Sequence, residues 1–251
     1  MEKKRKNNSI DMVNGPLMKN LFLFAVPLMF TNFLQILFNA ADTVVVGKFA
    51  GQQALAAVGA TGSIVFLLTA LFNGLSTGSN VVIAKLLGSR DEQRISKAVH
   101  TSISIAIGGG IFLAGMGIFF SKFLLAAMST PEDIIGLSEL YMKIYFSGSF
   151  FLLIYNFGAA VLRSKGDTKR PLYFLMFSGV LNVILNLFFV VSLKMSVAGV
   201  ALATVISQAV SAFLIIYTLV REEDATRLEF KKLKLDPSLA LEIMKVGIPA
   251  G

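Results

Sequence analysis

The stretch KNLFLFAVPLMFTNFLQILFNAADTVVVG, residues 19–47, carries no charged side chain between Lys19 and Asp42. At about 1.5 Å per residue such a helix exceeds the roughly 30 Å of a bilayer's hydrocarbon core. Working outward, five more apolar runs of spanning length follow at about 57–84, 98–125, 139–162, 172–193 and 197–220. The last two meet in a tight turn around Lys194–Ser196. The expected fold class is all-α, a polytopic transmembrane bundle of six spans. Composition agrees: 55% of the 251 residues are hydrophobic and only 15% are charged, against about 25% charged in soluble domains. Mean hydropathy is +0.73.

The run Lys3-Lys4-Arg5-Lys6 resembles the basic end of a signal peptide, but the first apolar stretch is far longer than a signal's core of about 7–15 residues. It reads as a retained helix. The connections then alternate in charge. The amino-terminal tail, the second and fourth connections and the segment after span 6 hold 19 of the 23 Lys and Arg residues; Lys48, Lys122, Lys143 and Lys194 lie on the other side. The positive-inside rule therefore predicts a cytoplasmic amino terminus in a cell-membrane protein. The same clustering accounts for the net charge of +8 without a nucleic-acid partner. The predicted organisation is a cytoplasmic segment 1–18, a six-helix lobe 19–220, and a linker with the start of a second repeat over 221–251. Residues 20–27 and 242–249 both run through apolar positions to a Pro. Eight degenerate positions can match by chance. Read as a true repeat, they imply a second, parallel six-helix lobe as partner.

Cys and Trp are absent, which excludes disulfides, thiolate nucleophiles and Cys-ligated zinc. No phosphate-cradling Gly-Lys-Ser/Thr motif or His/Asp/Glu metal cluster stands out, and an enzyme is not expected. Ionisable groups inside spans are functional candidates by default, and only one carboxylate lies in the interior of a span rather than at its end, Asp42. Asn32, Gln35, Asn39 and Asp42 fall within an arc of roughly 80° on a helix. That stripe points to a polar cavity; alternatively, Asp42 near the outer end reaches interfacial water. Pro27 in the same span removes one backbone hydrogen bond and favours a kink. Asn182 with Asn186, Thr204 with Gln208 and Ser211, and Tyr155 with Asn156 are further polar groups in spans, each of which alone reads as interhelical hydrogen bonding. Gly74, Gly78 and Gly108 to Gly110 read as close-packing positions. His100, the lone histidine, reads as incidental rather than as a proton relay.

Asn39-Ala-Ala-Asp-Thr-Val-Val-Val-Gly-Lys-Phe-Ala-Gly51, continued by Leu55-Ala-Ala-Val-Gly59, resembles the end of the first helix of multidrug and toxic compound extrusion (MATE) transporters. Gly166-Asp-Thr-Lys-Arg-Pro171, Asn182-Val-Ile-Leu-Asn186 and Gly199-Val-Ala-Leu-Ala-Thr204 resemble further family motifs, in order along the chain. The resemblance implies twelve helices in two lobes, alternating access, and Na+- or H+-coupled export of bulky, often cationic organic compounds, without a cofactor. By position, Asp42 resembles the family's ion-binding carboxylate, with Asn182 and Thr204 as neutral partners and Na+ at Asp42, Asn182, Asn186 and Thr204 as one option. Asn186 departs from members that carry a second carboxylate there. The expected ion- and substrate-binding residues are Asp42, Asn39, Gln35, Asn182, Asn186, Thr204 and Asn156. The rival function is a flippase of lipid-linked saccharides, which needs a cationic cavity; the span interiors offer almost no Lys or Arg.

Overall fold

A computed structural model describes residues 17–251; the run Lys3–Lys6 and the remainder of the amino-terminal segment before residue 17 lie outside the described residues. Eight α-helices follow: α1 Leu17–Val45, α2 Gln52–Ser89, α3 Glu92–Ala127, α4 Glu132–Ser147, α5 Ser149–Ser164, α6 Lys169–Asn186, α7 Ser196–Val220 and α8 Pro237–Gly247. No strand occurs among the described residues. Five helical segments are long and apolar enough to cross a membrane, and the bent pair α4–α5 makes a sixth. The chain is a multi-pass membrane protein. Helices α2 and α3 outrun the apolar stretches 57–84 and 98–125 because hydropathy registers only the part inside hydrocarbon. Their ends continue as polar turns, and Asp91 caps α3 by accepting from the Arg94 N–H at 3.0 Å.

The fourth span is not the single helix expected over 139–162. It breaks at Gly148, where α4 and α5 meet at 45°. Glycine costs about 1 kcal/mol in a helix interior relative to alanine, yet here a side chain has no room. A Cβ on Gly148 would lie 2.4 Å from Val205 Cγ2 of α7. Beside the break, Ser149 Oγ donates to the Gly110 carbonyl of α3 at 3.1 Å and to Phe146 O at 2.7 Å. Phe146, Phe157, Leu153 and Ile215 pack there with Leu113 in the main apolar core. Helix α1, by contrast, runs unbroken through Pro27, and Thr31 Oγ1 donates to the Pro27 carbonyl at 2.8 Å.

Two π-helical turns, Val46–Ala50 after α1 and Leu187–Ser192 after α6, lie at the same end of the bundle. Val45 and Val46 pack there with Ala54, Ala57, Ile134, Val190, Val197 and Val200. At the opposite end, Gly166-Asp-Thr-Lys-Arg-Pro171 makes the turn into α6. Gly166 takes φ +84°, a conformation that favours glycine. The Asp167 carboxylate accepts from the Arg170 N–H at 3.1 Å and pairs with the Arg170 guanidinium. Pro171 lends its carbonyl to the Tyr155 hydroxyl at 2.9 Å. Arg170 also reaches Glu222 at 2.6 Å, and Glu222 pairs with Lys165, so one network ties this turn to the segment after α7.

Gly74 and Gly78 are close-packing positions, as expected. They receive α8 running antiparallel to α2: Cβ atoms there would meet the Gly247 and Ile243 carbonyls at 2.4 Å. Of the α3 trio, Gly109 faces the Phe72 ring and Gly110 the Phe150 backbone, but nothing lies within 4 Å of a Cβ on Gly108. Gly108 therefore packs against none of the described residues; helical rotation turns it outward.

Candidate functional site

A cavity of about 480 Å3 lies between α1, α2, α5, α6 and α7, with Tyr145 of α4 also on its wall. The stripe inferred from spacing faces it: Asn32, Gln35, Asn39 and Asp42 all line the wall, beside Asn156 of α5, Asn182 of α6 and Thr204 of α7. Asp42 is half-buried and is the sole carboxylate on the wall among the described residues. The stripe thus lies on a cavity wall, in keeping with the cavity reading of its spacing. Asn186 does not line the cavity; it is fully buried behind Asp42.

The polar groups form a directed chain. Asn186 Nδ2 donates to Asp42 Oδ1, and also to Asn182 Oδ1 at 3.2 Å. Asn182 Nδ2 donates to Thr204 Oγ1 at 3.4 Å, and Thr204 donates to the Val200 carbonyl at 3.0 Å. The carboxylate fixes the sense of the chain, because an Asn186 oxygen turned toward Asp42 would set acceptor against acceptor. That orientation leaves Asn186 Oδ1 buried with no hydrogen-bond partner among the described residues, a costly position for an amide oxygen. A carboxylate beside a free amide oxygen, with a second amide and a hydroxyl next to it, is an oxygen-donor set that fits a small hard cation or a proton. No group of three or more His, Asp or Glu gathers elsewhere among the described residues to hold a metal.

Asn156 Nδ2 donates to Asn73 Oδ1 of α2 at 2.9 Å, joining two walls of the cavity. Asn73 is missed by the spacing argument, although Thr69, Asn73 and Ser76 repeat the four- and three-residue steps that mark α1 and all line the cavity. Arg163 is one of the basic residues that the apolar pattern assigns to the fourth connection. Arg163 belongs instead to the last turn of α5 and lines the cavity, its Nε donating to the Ala159 carbonyl at 3.3 Å. The helix simply runs farther than the hydropathy. The cavity thus holds one anionic and one cationic side chain, Asp42 and Arg163, among neutral amides and hydroxyls.

The MatE family matches residues 27–188 of the chain. A probable multidrug resistance protein of Bacillus subtilis strain 168, YpnP, is 34% identical over 241 residues, covering 96% of this chain and 54% of that protein. The outward-facing conformation of a multidrug resistance MATE family transporter superposes with a TM-score of 0.89 at 26% identity, over 99% of this chain and 55% of the other. A transporter of the MOP superfamily from Pyrococcus furiosus, whose reversed pocket polarity suggests a different function, superposes with the same TM-score of 0.89 at 26% identity, over 99% of this chain and 55% of its own. The chain spans about half the length of the curated relatives it matches. It belongs to the MatE family.

Proposed function

We propose that this chain is one lobe of a cation-coupled efflux transporter that exports bulky, often cationic organic compounds by alternating access. Asp42 is the coupling carboxylate. The observation that carries the reading is the single carboxylate on a cavity wall, held by Asn186 and backed by the Asn182–Thr204 chain. Such a group exchanges Na+ or H+ against organic cations by charge balance, and differential binding in two states is what couples the movements. The relatives support efflux, being named as multidrug resistance or multidrug export proteins. A second lobe of the same full-length protein would close the cavity, and the amino terminus would be cytoplasmic in the cell membrane.

Arg163 gives the flippase reading one specific support, since lipid-linked pyrophosphate needs cations along its path. One guanidinium on a wall otherwise neutral or anionic is a poor match for that substrate, and efflux remains the better fit. The test is ion-driven export from membrane vesicles containing the full-length protein, measured across pH. Asp42→Asn keeps an acceptor for Asn186 and replaces a charge-assisted hydrogen bond by a neutral one, at a cost of about 1 kcal/mol. Insertion and protein level should stay near normal while gradient-driven export falls at least about tenfold. Wild-type coupling at equal protein level would sink the assignment of Asp42.

A further inference from the structure

Between the start of α3 and the chain joining α7 to α8 lies a second pocket, of about 560 Å3, lined by Lys97, Lys231, Lys232, Lys234, Leu235 and one carboxylate, Asp236, among others. Its outer wall is the segment Phe230-Lys-Lys-Leu-Lys-Leu235, in which lysines alternate with large apolar residues. Two side chains of α3 pin this segment at both ends. His100, with its Nδ1–H directed at the Ser96 carbonyl at 2.6 Å, accepts the Glu229 N–H on Nε2 at 3.1 Å. Thr101 Oγ1 accepts the Asp236 N–H at 3.1 Å. Asp236 in turn caps α8, accepting from Ser238 and Leu239 at 3.0 and 3.2 Å. The lone histidine is therefore structural: buried, and a clasp for the segment that presents the lysines.

Lys232 pairs with Glu229 at 2.8 Å, but Lys97, Lys231 and Lys234 have no carboxylate within ion-pair distance among the described residues. Against four lysines the pocket sets one carboxylate, Asp236, already engaged in capping α8, and that excess of positive charge favours an anion. The location says which kind. Lys97 immediately precedes the apolar run that begins at Ala98, so the pocket sits at the level where span 3 leaves hydrocarbon. Phe230 and Leu235 beside it are 61% and 47% exposed, large apolar side chains flanking the cations. A soluble anion has no use for that apolar edge, whereas an acyl chain does.

We propose that this pocket binds the headgroup of an anionic phospholipid, its phosphate on Lys97, Lys231 and Lys234 and its chains against Phe230 and Leu235. The site is independent of the transport cavity and stands whether or not Asp42 couples an ion.

The protein, reconstituted into nanodiscs of equal phosphatidylglycerol and phosphatidylcholine, is released and its retained lipids counted by native mass spectrometry. Phosphatidylglycerol should be retained about tenfold over phosphatidylcholine, since juxtamembrane lysines each contribute severalfold. The exposed triple change Lys97→Gln, Lys231→Gln and Lys234→Gln should remove the preference, and the matching triple change to Arg should keep it. Removing the same charge at the other end, with Lys122→Gln, Lys143→Gln and Lys194→Gln, should leave it intact. Equal retention of both lipids by the wild type, or an unchanged preference in the first Gln triple, would overturn the site. So would an equal loss in the opposite-end triple. Displacement of the lipid by millimolar glycerol 3-phosphate would overturn the lipid assignment in favour of a soluble organic phosphate.

Discussion

Gly110→Ala places a methyl group against backbone rather than side chain. The new Cβ would lie 2.5 Å from Phe150 Cα and 3.1 Å from Phe150 N. No rotamer relieves such a contact, so α3 and α5 must separate until the 2.5 Å approach opens to the 3.4 Å of ordinary contact. Overpacking of this kind costs roughly 1–3 kcal/mol, and the better helix propensity of alanine returns at most about 1 kcal/mol. The separation also stretches the 3.1 Å bond from Ser149 Oγ to the Gly110 carbonyl. A net loss of about 2 kcal/mol should lower the unfolding midpoint by on the order of 6 °C for a chain of this size. Gly108→Ala, two residues away with nothing within 4 Å, gains the propensity alone and should raise the midpoint by about 2 °C. Because the chain has no Trp, the fraction that stays monodisperse after heating is a better readout than tryptophan emission. Equal shifts for the two variants, or stabilisation by Gly110→Ala, would refute the close α3–α5 crossing.

Glu222→Gln weakens the pairings that hold Lys165 and Arg170, where the Lys165 and Glu222 side chains are only 12% and 13% exposed; roughly 3 kcal/mol of stability should be lost in chemical unfolding. Within the same cluster, burial raises the Asp224 carboxyl, but hydrogen bonds from Thr226 and Lys165 outweigh it and leave it below its ordinary 3.8. An acid depressed in the folded state contributes stability above its unfolded value and loses it as pH falls through the lower, folded value, so Asp224→Asn should flatten the acid limb of stability against pH below about 4. Topology is checked by single Cys residues introduced into this Cys-free chain: Arg90→Cys, Lys169→Cys and Lys231→Cys should resist an impermeant thiol reagent applied outside intact cells, while Lys48→Cys and Lys194→Cys should react. Labelling at position 169 would reverse the proposed orientation.

The six spans, their order and the polar face of α1 were legible in residues 17–220 because hydropathy and helical period are local properties. The Asn182-Val-Ile-Leu-Asn186 and Asn39-Ala-Ala-Asp42 motifs named the chemical groups of the site. They gave no sign that Asn186 would be buried behind the carboxylate while Asn182 faces the cavity. The break at Gly148 was also hidden, since the side chain that leaves room only for glycine there, Val205 on α7, lies fifty-seven residues downstream by the numbering. Arg163 was misplaced because hydropathy marks where hydrocarbon ends, not where a helix ends. What the sequence by itself determined was the class of molecule: long apolar segments in a chain with few charges fold as spanning helices, because a bilayer offers their backbone groups no other partner. What only the tertiary structure decided was the site. Asp42, Asn73, Asn156, Asn182, Asn186 and Thr204 sit on five helices, and side chains that far apart in sequence meet only when packing fixes how each helix is rotated.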